Sequence, residues 1–243
     1  TNQYGQLYLA LSIFSLLGIF ASLGIPGSTA RYISEYKDGE ENQTPHIISI
    51  SFKICLVLAS TVTIAVYLSS HRLSKFLGDP GLATVLVFGS PYILLFTIFR
   101  YDRKVLQGFE EISQASVVKI VFDIGKLVFA VGLVAAGFGA VGGIVGYVLG
   151  AGISASVGLS LVHANYSRQH GISRESGLRR RIIEYSVPLT ITQAAGKLDR
   201  RIDTVLVGFF LSPILVIYYV VSKQICVFAQ KPETALGFSV AVA

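Results

Sequence analysis

Residues 141–162 read VGGIVGYVLGAGISASVGLSLV, a stretch of 22 residues without a charged side chain. A helix of about 20 apolar residues is long enough to cross the hydrocarbon core of a bilayer. Similar apolar stretches lie on both sides of it, at residues 7–23, 47–69, 82–99, 115–136 and 185–211, with a further one from Ile214. The pattern predicts an all-α integral membrane protein with about seven transmembrane helices.

The composition of the chain supports this class. Hydrophobic residues make up 52% of the 243 residues and charged residues only 14%, whereas a soluble domain carries about a quarter charged residues. The sequence contains no Met, and the first apolar stretch begins six residues after Thr1. We therefore expect an internal piece of a longer protein.

A basic, Ser-rich linker at residues 163–181 divides the chain. Residues 1–162 are predicted to form an N-terminal bundle of about five spans, and residues 182–243 the start of a C-terminal bundle of about two spans. After the linker, residues 185–211 form one long span, or residues 202–221 span alone while residues 185–196 lie along the interface. We favour the single long span.

Positive charges are distributed unequally between the connections. The connections after the first, third and fifth spans hold ten cations, whereas those after the second and fourth hold only Arg72 and Lys75. The ten cations are Arg31, Lys37, Arg100, Arg103, Lys104, Arg168, Arg174, Arg179, Arg180 and Arg181. Cytoplasmic loops are enriched in Lys and Arg, so the linker is predicted to be cytoplasmic. We expect membrane lipid and no nucleic acid as a partner, because these cations follow one membrane face.

A charge cluster interrupts the apolar stretch 185–211. A lone charge at the centre of a bilayer costs about 2.5–3.5 kcal/mol even on the lenient insertion scale. With a helical period, Gln193, Lys197 and Arg201 share one stripe, which predicts a cationic wall facing a water-filled cavity. The alternative is a cluster that neutralises itself, since Arg200 precedes Asp203 by three residues. The members of the cluster are Lys197, Asp199, Arg200, Arg201 and Asp203.

A second polar group lies on the fourth span. Lys119, Asp123 and Lys126 have the spacing i, i+4, i+7 and share one helix face. Two interpretations remain open, a structural ion pair against a neighbouring helix and a group that lines the cavity.

Small residues recur every four positions on the fifth span, which predicts a face for close helix packing. They are Gly142, Gly146, Gly150, Ser154 and Gly158. By contrast, the sequence has no Ser/His/Asp set and no cysteine or histidine spacing typical of a metal site. We therefore expect no catalytic residue, no metal and no cofactor, and the chain is predicted not to be an enzyme.

Several motifs together resemble the polysaccharide flippases of the multidrug/oligosaccharidyl-lipid/polysaccharide exporter superfamily. The early ones are YGQLY at residues 4–8, LGIP at 23–26 and ARYISEY at 30–36. The later ones are YSVPL at 185–189, RIDT at 201–204 and GFFLS at 208–212, followed by Tyr218-Tyr219. Their order and spacing agree with this family over nearly the whole chain.

The resemblance implies a transporter like the multidrug exporters, with two six-helix bundles around a central cavity that opens alternately to each side. The chain would cover about spans two to eight. The implied substrate is an oligosaccharide on a polyprenyl or dolichyl phosphate or diphosphate in the cytoplasmic membrane, with Lys197, Arg200 and Arg201 contacting phosphate and Asp199 or Asp203 orienting them. A coupling ion is left open.

Two alternative functions are weighed against this one. A cation-coupled multidrug exporter of the same superfamily would rely on carboxylates such as Asp123 and Asp203 and on aromatic faces for organic cations, but cations outnumber carboxylates in the charge cluster. A membrane glycosyltransferase would need an acidic motif in an external loop, and only Asp79 is acidic there.

Overall fold

The computed structural model describes residues 2–37, 43–166, 180–192 and 194–195, and also residues 206, 218–219, 221–223 and 226. Within these ranges every regular element is helical. Seven helices and one π-helical turn follow one another up to Tyr166, and residues 180–192 are helical as well. Gln193 and the charge cluster predicted at residues 197–203 lie outside the described residues. The choice between the two topologies after the linker depends on residues outside them as well.

The first predicted span corresponds to one helix, and a second helix begins directly after it at a sharp bend. Helix α1 covers Asn2–Ser22 and helix α2 covers Ile25–Tyr36. Between them, Leu23 and Gly24 have positive φ angles of 39° and 66°. Gly24 provides the left-handed conformation that glycine adopts without steric cost, and Pro26 fits the first turn of α2 because that turn lacks internal partners for its N–H groups. The sequence had placed a connection here, so α2 is a feature that the structure adds.

Helix α3, Thr44–Phe76, is the longest straight element. Its 33 residues correspond to about 50 Å, which exceeds the bilayer core of about 30 Å. The chain then turns through Gly78, and Asp79 fixes this turn: it accepts hydrogen bonds from the backbone N–H of Gly81 at 3.0 Å and from Gln6 Nε2 at 2.9 Å. The polar turn thereby binds the start of α1 to the end of α3.

The third span is one helical rod with a break at proline. Helix α4 covers Gly81–Gly89 and α5 covers Pro91–Gly108, with Ser90 in helical conformation between them. Gly89 lies in the core, where an added Cβ would come within 2.6 Å of both Phe14 and Ile144. Three helices therefore converge at this glycine: α1, α4 and the helix that carries Ile144.

Helices α6 (Ile112–Leu133) and α7 (Gly139–Tyr166) form an antiparallel hairpin through the π-helical turn Val134–Phe138. Gly146 lies against the backbone of Ala130, and Gly150 against that of Lys126, each closer than a Cβ would allow. Farther along, Ser154 Oγ donates a hydrogen bond to the Val118 carbonyl at 2.7 Å. The prediction that the small residues of the fifth span form a packing face is confirmed.

Residues 180–192, here called α8, pack against α2. The Ser28 and Ser186 hydroxyls are 2.7 Å apart, and the Ser186 carbonyl lies 2.6 Å from where a Cβ on Gly24 would be. The Arg31 guanidinium lies 4.4 Å from the centre of the Tyr185 ring. A hydrogen bond to Tyr185 raises the pKa of Arg31, which is therefore a cation throughout the physiological range.

The helix connections are gathered at two ends of the bundle. At one end, Lys37 pairs with Glu110 at 2.9 Å, and the Tyr32 hydroxyl donates to the Arg181 carbonyl at 3.3 Å. These contacts bring together the connections after the first, third and fifth predicted spans, and we call this the cationic end. At the opposite end, Gln6 contacts Asp79 and Gln3 contacts Gly139.

Large apolar side chains cover the outer surface of the bundle. In the part of the chain that the structure describes, four helical segments are long and apolar enough to cross a membrane: Gln3–Ser22, Thr44–Phe76, Gly81–Gly108 and Ile112–Ala164, the last of which contains the α6–α7 hairpin. The outward faces of α3 and α6 expose side chains such as Leu68, Leu127 and Ile124. Such extended apolar patches are incompatible with a water-exposed surface. The all-α membrane class is confirmed, while the total of about seven spans stays a prediction.

Candidate substrate cavity

The polar face of α6 holds an ion triad formed by Lys119, Asp123 and Lys126. Lys119 Nζ lies 2.5 Å from one carboxylate oxygen of Asp123, and Lys126 Nζ lies 2.6 Å from the other. Both pairs are formed within one helix, as the i, i+4, i+7 spacing allows. Asp123 therefore neutralises one of the two lysines, and the triad carries a net charge of +1.

A cavity of about 310 Å³ opens beside this triad, between α1, α5, α6 and α7. Five of its wall residues are aromatic and one is a cation. Its lining consists of Tyr8, Leu11, Ser15, Tyr92, Phe96, Phe122, Lys126 and Tyr147. We call it the aromatic cavity.

The rings of the aromatic cavity support one another. Tyr92 stacks on Phe96 with centroids 5.0 Å apart and meets Tyr147 edge-on at 6.0 Å. Phe96 in turn lies 5.5 Å from Phe122. Offset and edge-to-face arrangements are the favourable geometries for aromatic pairs, so the wall is a packed aromatic cluster contributed by three helices.

Lys126 is the cation of the aromatic cavity. Its ammonium lies 4.8 Å from the centre of the Phe122 ring and is also bound by Asp123. These contacts hold the side chain at the wall, with roughly a third of its surface exposed. Of the triad, Lys126 lines the cavity and is bound by Asp123, whose other carboxylate oxygen is bound by Lys119.

Sequence reasoning found the triad but not the aromatic wall. Tyr92 and Phe96, like Phe122 and Lys126, are separated by four residues, and this spacing places each pair on one helix face. Tyr8 and Tyr147 join them only through the packing of α1 and α7, which no local pattern reveals. The predicted site residues Gln193, Lys197, Asp199, Arg200, Arg201 and Asp203 stay predictions, since they lie outside the described residues.

A helical bundle with an apolar outer surface and a partly polar inner cavity defines a multi-pass membrane protein. A model of the family described as "Polysaccharide biosynthesis protein" matches residues 1–231. The chain belongs to this family, which comprises polysaccharide flippases of the multidrug/oligosaccharidyl-lipid/polysaccharide exporter superfamily. No curated protein and no solved structure gives a significant match to the chain.

Proposed function

We propose that the protein moves an oligosaccharide linked to a polyprenyl or dolichyl phosphate or diphosphate across the cytoplasmic membrane, for the assembly of a surface polysaccharide or glycan. The observation that carries this proposal is the aromatic cavity with Lys126 in its wall, in a chain of this family. Aromatic faces bind the C–H faces of sugar rings, and a lysine ammonium is a point charge suited to phosphate. The two groups match the two parts of a lipid-linked sugar.

The proposed mechanism is alternating access between two helical bundles, residues 1–162 and residues 182–243, joined by the linker 163–181 on the cytoplasmic side. In this scheme Lys126 contributes one cation from the first bundle, and Lys197, Arg200 and Arg201 contribute others from the second. The protein acts as a transporter, so the sugar and its phosphate leave unchanged and no catalytic group is required.

The charge of the aromatic cavity bears on the alternative of a multidrug exporter. The aromatic wall would also suit an organic cation, but such a substrate would rely on a carboxylate as well, and Asp123 is engaged by two lysines instead. The cavity offers an ammonium, which repels a cationic drug and attracts an anionic head group.

The test is a flipping assay with the full chain in proteoliposomes, using a fluorescent short-chain lipid-linked oligosaccharide. Lys126→Gln removes the cation and should lower kcat/KM about tenfold to hundredfold, the effect of losing a hydrogen bond to a charged group. Lys126→Arg should retain most of the activity. The matched control is Lys75→Gln, at an exposed lysine near the end of α3, which should have no effect. Full activity of Lys126→Gln, or export of a cationic dye in place of the sugar, would contradict the proposal.

A further inference from the structure

Asp102 on α5 is a buried carboxyl group without a partner. The residue has 0% exposure, and neither of its carboxyl oxygens has a hydrogen-bond partner among the described residues. Nearly all buried polar atoms in proteins have partners. Taking an ionised carboxylate out of water without a counter-charge costs several kcal/mol, whereas the neutral acid costs far less. The site therefore accommodates a carboxylic acid and excludes a carboxylate.

The carboxyl group is confined by a close approach of two helices. A Cβ added to Gly158 of α7 would lie 2.7 Å from both the Cβ and the Oδ2 of Asp102. The carboxyl group of Asp102 thus occupies space that is open only because Gly158 has no side chain. Asp102 lies six residues before the end of α5, about 9 Å from the cationic end. Neither the aromatic cavity nor a second, apolar cavity of about 240 Å³ beside Tyr101 is lined by Asp102.

The ionisable groups in electrostatic contact with Asp102 are the Cys55 thiol of α3 and the hydroxyl of Tyr101 on its own helix. The thiol is buried, and the Tyr101 hydroxyl donates to the Ile48 carbonyl at 2.9 Å and lies 2.8 Å from Ser51 Oγ. Neither group supplies a positive charge.

The cations of the neighbouring helices have other interactions. On α5 itself, Arg103 lies over the Phe99 ring and is attracted by Asp123, whereas Arg100 and Lys104 are repelled by Arg103. Lys119 and Lys126 of α6 bind Asp123, and Lys53 of α3 is exposed. From α2, Arg31 contacts Tyr185 and Lys37 binds Glu110. Helices α1 and α4 carry no charged residue, and the one histidine of α7 is His163.

We propose that Asp102 is a proton-binding site, neutral while α5 and α7 are packed together, which releases its proton to water when the two helices separate. The ligand is a proton because a metal cation would need several ligands, and the described residues contain no group of three or more His, Cys, Asp or Glu side chains that could hold one. Separation of α5 from α7 would hydrate the acid and allow it to ionise. The site thereby gives the conformational equilibrium of the bundle a dependence on pH, whatever the protein transports.

The test is infrared spectroscopy of the full chain in lipid at neutral pH. The wild type should show the carbonyl band of a protonated carboxyl group at Asp102, and Asp102→Asn should remove that band. The matched control is Asp123→Asn, which should remove a carboxylate band instead, since two lysines keep Asp123 ionised. Wild type labelled with ¹³C at its aspartate carboxyls assigns the band to aspartate without any substitution, in case Asp102→Asn does not fold.

Gly158→Ala provides a second variant, because its methyl group displaces the carboxyl group and should shift or abolish the same band. Absence of a protonated aspartate band in labelled wild type would overturn the proposal, as would survival of the band in Asp102→Asn. Loss of the band on adding sodium ions at constant pH would identify a metal-cation site and would also overturn it.

Discussion

At the scale of single residues, the ion triad shows how charged side chains can be tolerated on α6, whose outward face is apolar. Asp123 binds two lysines on its own helix and leaves a single net positive charge beside the aromatic cavity. The remaining positive charge can attract a phosphate group. The Asp123 carboxylate weakens that attraction. Under the proposed function, Asp123 would set the strength of anion binding at Lys126.

Asp123→Asn should tighten the binding of the lipid-linked sugar. The substitution raises the net charge of the triad from +1 to +2. A unit charge about 8 Å from a phosphate is worth about 2 kcal/mol at an effective dielectric of 20, and the partial exposure of the triad reduces this to below about 1 kcal/mol. We expect KM to fall about two- to fivefold, with a steeper dependence on salt.

The measurement is KM for flipping at low and moderate ionic strength, with Glu111→Gln as the control for loss of a carboxylate elsewhere. A raised KM in Asp123→Asn would show instead that the carboxylate positions Lys126, and would contradict the electrostatic prediction.

At the scale of helices, the α6–α7 hairpin is the element that the sequence predicts best. The four-residue period of small side chains indicates a close contact, and the structure provides the partner, since Gly146 lies against Ala130. In lipid, helix association depends on such close packing, because burial of apolar surface gives no advantage over contact with lipid.

Gly146→Ala should therefore destabilise the protein. The new Cβ would lie 2.3 Å from the Ala130 backbone nitrogen, and relief requires the two helices to move apart. Overpacking of this kind lowers the free energy of unfolding by about 1–3 kcal/mol. The control is Gly132→Ala on the same hairpin, where an added Cβ meets nothing within 4 Å. It should be neutral, or stabilising by up to about 1 kcal/mol through helix propensity. Thermal unfolding in detergent measures the stability of the two variants. Equal changes in stability for Gly146→Ala and Gly132→Ala would contradict the prediction.

Other elements could not be predicted to the same degree. The connection after α1 contains Gly24 and Pro26, a pattern that ends one helix and starts another, yet its charged continuation indicated a loop. Asp102 lies between Arg100 and Arg103 in the sequence, a pattern that predicts pairing at a helix end. Its isolation depends on the approach of Gly158, which is 56 residues away. The aromatic cavity likewise depends on the packing of four helices, and local spacing reveals only the pairs Tyr92/Phe96 and Phe122/Lys126.

At the scale of the whole molecule, the contact between α2 and α8 joins the N-terminal bundle to the segment after the linker. It consists of small residues in close contact, Gly24 and Ser28 against Ser186, with the Arg31–Tyr185 pair beside them. Burial raises the pKa of the Tyr32 hydroxyl, so the hydrogen bond that it donates to Arg181 persists throughout the physiological range. If the two bundles move against each other during transport, this contact at the cationic end must break in every cycle.

A disulfide at this contact should stop transport. In a chain with Cys55 and Cys226 replaced, Ser28→Cys/Ser186→Cys places two thiols where hydroxyls now lie 2.7 Å apart, so that oxidation can join them. Flipping should fall to background on oxidation and recover on reduction. The controls are the single variants Ser28→Cys and Ser186→Cys in the same background, which cannot form this disulfide and whose oxidation should leave flipping unchanged. Undiminished flipping by quantitatively cross-linked Ser28→Cys/Ser186→Cys would show that α2 and α8 stay together throughout the cycle. The moving boundary would then lie elsewhere, and alternating access between residues 1–162 and 182–243 would be wrong.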